Sequence, residues 1–150
     1  MGGQQDDLAR ALEELEQTTS KQRKPTRFHA RAVLIALGER VLAGDPVVEP
    51  AIERLGRITA ADPEGWRRAV HDELVLACTE HLQSVDPRWL DHPKYDFGYT
   101  VAARADLEAR LRACEKLDLE PSEELLDRVA KADALLEPYL RSRRGEQSSN

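Results

Sequence analysis

The stretch PTRFHARAVLIALGERVL, residues 25–42, decides the fold of this chain. Wound as a helix at about 100° per residue, Phe28, Ala32, Val33, Leu34, Ile35, Ala36 and Leu37 point in every direction. A helix that is apolar all round needs neighbours on most sides, so this segment predicts the central element of a helical bundle. Pro25 suits a first helical turn, where a missing N–H costs nothing. Gly44 and Asp45 supply the stop.

Five further helices flank it by period. The first covers residues 6–17, with Leu8, Leu12 and Leu15 on one stripe. The polar, basic residues 18–24 read as a connector. A third helix near 47–60 uses Val48, Ile52, Leu55 and Ile58, with Pro50 in its first turn or marking its start. Asp62-Pro63 is a cap followed by a first-turn proline, and it opens a fourth helix to about Val85. The apolar arc of that helix holds Trp66, Val70, Leu74, Cys78, Leu82 and Val85. Residues 86–100, punctuated by Pro87, Pro93 and Gly98, read as an irregular loop, with Thr100 capping a fifth helix to about Leu117. A sixth, 123–141, runs through Leu126, Val129, Leu136 and Leu140. Its short link to the fifth predicts an antiparallel helical hairpin. Residues 142–150 read as a polar tail. The fold class is therefore all-α: a compact bundle of five to six helices with a C-terminal antiparallel hairpin, in one domain spanning 1–150.

Composition narrows the function classes. Hydrophobic residues make up 41% and charged residues 33%, which suits a globular helical chain rather than a disordered one. The net charge of −6 produces no global attraction to nucleic acid or anionic lipid. No run approaches the roughly 20 apolar residues that cross a bilayer, and the start lacks the basic-then-apolar order of a signal peptide. No membrane association and a cytoplasmic location are the expectation. Cys78 and Cys114 lie inside amphipathic segments and read as reduced core thiols.

Three groups of residues carry the functional expectations. Trp89, Tyr95, Phe97 and Tyr99 place four of the seven aromatics of the chain in fifteen residues, beside His92 and Asp91. Long aromatic loops serve either as partner-binding anchors or as plugs that cover the bundle. Lys21, Arg23, Lys24, Arg27 and Arg31 form a basic cluster without acidic interruption, the composition of a phosphate grip. The acidic residues of 6–16 offer it internal ion pairs instead. His71, Cys78 and His81 share the arc of the fourth helix, yet seven residues of helix rise about 10.5 Å and ten about 15 Å, so His71 cannot share an ion with the other two. Only Cys78 and His81 are close enough to ligate together, and no second short-spaced pair completes a site. No metal and no cofactor are expected.

No phosphate loop, dinucleotide-binding glycine motif, nucleophile elbow or zinc-protease motif is present. The expected function is a non-catalytic protein–protein interaction module, an accessory or adaptor subunit. Its partner contacts are expected at Trp89, His92, Tyr95, Phe97 and Tyr99. The alternatives are nucleic-acid association through residues 21–31, and a small helical enzyme with its site near the 86–100 loop. A homo-oligomer through leftover apolar stripe on the first helix is compatible with the pattern.

Overall fold

A computed structural model describes residues 3–92, 94 and 97–148, with side chains for 7–88, 90–92, 94 and 97–141. The helices are α1 (Gly3–Ser20), α2 (Arg27–Leu42), α3 (Val48–Thr59), α4 (Pro63–Ser84), the single turn α5 (Pro87–Leu90), α6 (Phe97–Lys116) and α7 (Glu123–Ser148). No strand occurs among the described residues, and the helices pack as a compact all-α bundle.

The starts of α2 and α4 are set by residues that satisfy free backbone donors. Asp62 accepts from Gly65 N at 3.0 Å, with Pro63 at the first position of α4. Pro25 lies just outside α2 rather than in its first turn, and Thr26 is the N-cap. The Thr26 N–H donates to His29 Nδ1 at 3.0 Å, and His29 Nε2 meets Thr18 Oγ1 at 3.1 Å. An imidazole that accepts at Nδ1 carries its proton on Nε2, so His29 ties the end of α1 to the start of α2.

α2 is the hub: it packs on α1, α3, α4 and above all α6. Its closest approach is at Gly38, where a Cβ would run into the backbone of Ala109. The main core joins Leu8, Leu12 and Leu15 of α1 to Val33, Leu34 and Leu37 of α2, Leu55 of α3, Leu74 of α4 and Leu107 of α6. A second cluster of Val85, Leu90, Ala132 and Leu136 closes the far end, with Leu82, Phe97 and Tyr139 against it. α6 and α7 run antiparallel, joined by residues 117–122 and bridged by Arg104 and Asp133. Each nevertheless lies closest to another helix, α6 to α2 and α7 to α4.

Several sequence expectations are corrected. Thr100 does not cap a helix; it is fully buried inside α6, which begins at Phe97 because that ring packs into the second cluster. Part of the expected loop is helical: Pro87 opens α5, and Arg88 N donates to Asp86 Oδ1 at 2.9 Å. The inward stripe of α7 is Leu125, Val129, Ala132 and Leu136, and Leu126 is exposed. Spacings of four, three and four keep the stripe on one face. α7 also continues to Ser148 through the expected tail, since adding residues to an existing helix needs no new nucleus. Finally, α2 is not enclosed all round: Phe28 is 66% exposed, and Ala32 is open beside it.

Candidate functional site

Charged residues on the apolar arcs of α4 and α6 build the polar interior. Glu73 is buried and receives Arg27 of α2 at 3.1 Å and Arg110 of α6 at 3.2 Å. One carboxylate thus pins three helices together. Two turns along α4, His81 is 2% exposed, and its Nε2 lies 3.5 Å from Asp133 Oδ1 of α7. That distance is an ion-pair spacing and too long for a full hydrogen bond. Neither ring nitrogen has a hydrogen-bond partner among the described residues. Arg104 holds the Asp133 carboxylate in a fork at 2.7 and 3.0 Å, and also reaches Glu108 at 3.0 Å.

His81 and Arg110 lie along a cleft of about 200 Å³ bounded by α2, α4 and α6. Arg31, Glu80, Tyr99 and Asp106 form its exposed rim, and Ala77, Ala102 and Ala103 keep it open. Tyr99 is 66% exposed, and no ion pair holds Arg31 among the described residues. The arrangement offers hydrogen-bond donors and acceptors to a small polar group. The Ser84 hydroxyl of the lining donates to the His81 backbone carbonyl at 2.7 Å rather than to an adjacent base.

Burial holds His81 below its ordinary 6.5, opposed by Asp133 and assisted by Arg104. The unfolded chain therefore takes up the proton first, and stability falls as pH drops from about 6.5 toward the folded-state value. We expect the urea midpoint to decrease between about pH 7.5 and pH 5, and to decrease less in His81→Gln. Equal slopes in the two proteins would remove His81 as the cause. Burial also raises both thiols, Cys114 to about 11. Neither should react with a thiol reagent at neutral pH until the chain unfolds, so the labelling rate should follow the unfolding equilibrium. Rapid labelling of the folded protein would contradict this.

The residues expected from sequence separate. Phe97 is half-buried in the second cluster and acts as a plug, whereas Tyr99 turns outward to the cleft. His92 is exposed, and its Nδ1 accepts from Lys94 N at 3.1 Å, away from the cleft lining. Tyr95 lies outside the described residues, as does the side chain of Trp89. The basic cluster also divides. Arg27 is held by Glu73 and stacks on Phe28 at 4.3 Å, Arg31 stands at the cleft rim, and Lys21, Arg23 and Lys24 are exposed. Among the described residues the acidic groups of α1 form no ion pair with these cations; Glu16 instead approaches Arg54 at 3.9 Å. Also among the described residues, no three His, Cys, Asp or Glu side chains are placed to hold a metal, and no helix is long and apolar enough to cross a membrane.

Sequence reasoning missed Glu73, Arg104, Arg110 and Asp133. A signal existed for two of them: Glu73 falls between Val70 and Leu74 on the arc of α4, and Arg110 between Leu107 and Cys114 on that of α6. Opposite charges on the inward faces of two helices forecast a buried pair. Comparison of the chain with protein-family models, curated proteins and solved structures finds no match.

Proposed function

We propose that the chain is a non-catalytic protein-binding module, an accessory or adaptor subunit that receives a polar side chain of its partner in the α2–α4–α6 cleft. The observation that carries this reading is the placement of an exposed tyrosine and an exposed arginine without an ion pair among the described residues, Tyr99 and Arg31, over a buried imidazole with no hydrogen-bond partner among them. Tyrosine and arginine are the residue types that concentrate binding energy at interfaces. A partner group entering the cleft would satisfy His81 and be shielded from water by the tyrosine ring.

The test is affinity capture of the tagged chain from its native lysate, with and without nuclease, against Tyr99→Ala/Arg31→Ala. A nuclease-resistant partner at near-equal amounts, lost from the double variant while helical dichroism is retained, supports the reading. A partner retained undiminished by the variant overturns the cleft as the contact. A second reading, nucleic-acid association, is favoured by the exposed Lys21, Arg23 and Lys24, which form no ion pair among the described residues. It requires binding that weakens steeply with salt and disappears when those three become Glu.

A further inference from the structure

α1 and α2 form an antiparallel pair. Thr18 meets His29 beside the connector, while Asp7 and Glu39 flank the far end of the groove between the two helices. The groove encloses about 370 Å³, and Phe28, Ala32 and Ile35 supply its apolar side from α2. Phe28, Ile35 and Leu42 follow one another at intervals of seven, so they share a face over about 21 Å of helix. Phe28 and Leu42 are 66% and 56% exposed, and Ile35 is half-buried between them. No described element of the chain covers this face.

The charges of the groove are Asp7, Arg10 and Glu39 toward one end, an acidic excess, and Glu14 and Arg31 beside the apolar residues. Lys21 and Arg23 line a depression that continues the groove at the other end past Glu14, with Lys24 in the same connector. Asp7, Glu39, Lys21, Arg23 and Lys24 have no ion-pair partner among the described residues. A face with an acidic excess at one end, apolar residues flanked by Glu14 and Arg31 in the middle and a basic end is complementary to itself when one copy is turned end for end. Two-fold rotation about Ile35 does this. It sets Ile35 against its own equivalent, Phe28 against Leu42 of the other copy, and each basic connector against the acidic end opposite. Such an isologous contact closes on itself and leaves no open edge.

We infer that the α1–α2 face is the interface of a two-fold homodimer in which four helices pack antiparallel in register about Ile35. The occupant of the groove is thus a second copy of this chain. The inference rests on Phe28 and Ile35, which do not line the cleft; Arg31 lines both, so Tyr99, which lines the cleft alone, separates the two readings.

Sedimentation equilibrium of the full chain tests it. The expected mass is twice the monomer's 16.9 kDa, with dissociation promoted by salt. Phe28→Glu should yield a monomer with unchanged helical dichroism, since that ring is mostly outside the core. A charge exchange controls for any loss of fold. Lys21→Glu/Arg23→Glu/Lys24→Glu and Asp7→Lys/Glu39→Lys should each be monomeric alone and form a heterodimer when mixed. Tyr99→Ala should leave the mass at twice the monomer. A wild-type chain that remains monomeric at its highest soluble concentration overturns the inference. So does a dimer indifferent to Phe28→Glu, or a mixture of the charge variants that fails to associate.

Discussion

Gly38→Ala should lower the melting temperature by roughly 5–10 °C, although alanine is the better helix former. In a solvent-facing helix the exchange is stabilising by about 1 kcal/mol. At Gly38 the added methyl meets the carbonyl and Cα of Ala109, atoms of the α6 backbone that cannot turn aside as a side chain would. The two helices must move apart along the most extensive contact in the molecule, which also loosens Val33, Leu34 and Leu37 against Leu107. Overpacking of this kind costs about 1–3 kcal/mol, and more where the collision is with backbone. Gly56 in α3 is the matched control, because a methyl there meets nothing within 4 Å. Gly56→Ala should raise the melting temperature slightly, and the opposite signs identify close helix approach as the cause. Equal shifts in the two variants would refute it.

Glu73→Ala should be the most damaging single change in the polar interior, at about 3–5 kcal/mol of stability. It leaves Arg110, 7% exposed, without its counter-charge, and Arg27 without its tether to α4. Most of the loss should come from Arg110, because Arg27 is partly open to water and can be rehydrated. The size of the effect reflects an uncompensated charge rather than a strong net attraction. Glu73→Leu combined with Arg110→Leu should therefore recover much of the stability that Glu73→Ala alone removes, since a well-packed apolar pair avoids the desolvation cost. Chemical denaturation of the single and double variants measures the difference. A double variant as unstable as the sum of its singles would mean that the pair contributes through geometry that leucine cannot replace.

These variants also mark how far the residues of the chain could be read in order. Six long helices were legible because their apolar residues recur at helical spacing and their starts carry local signals, such as Asp62-Pro63 and Ser122. The apolar residues of the fourth-helix arc, Trp66, Val70, Leu74 and Cys78, are buried as expected, whereas His71, placed on the same arc, is exposed. The start of α6 was not legible. Gly98 and the neighbouring prolines read as breakers, and only the docking of Phe97 against the second cluster brings Gly98 into a first turn. Only the first position of the α7 stripe was misplaced, Leu126 for Leu125, because the two are equally apolar and one position is only about 100° of rotation; Val129 and Leu136 turn inward as expected.

The candidate site was legible in fragments. Tyr99 and Arg31 were present among the expected contacts, but in separate groups with separate roles. They border one cleft because α2 and α6 pack closely, a relation between segments some 70 residues apart. Periodicity by itself determined that the chain is helical and, for most of the helices, which face turns inward, since both follow from local hydrogen bonding and the burial of apolar stripes. Only the tertiary structure decided that Phe97 is a plug and Tyr99 a rim, that Glu73 and Arg110 meet, and that one face of α2 stays open. Those outcomes depend on which helices become neighbours. Many pairings bury similar apolar area, and steric fit at sites such as Gly38 chooses among them.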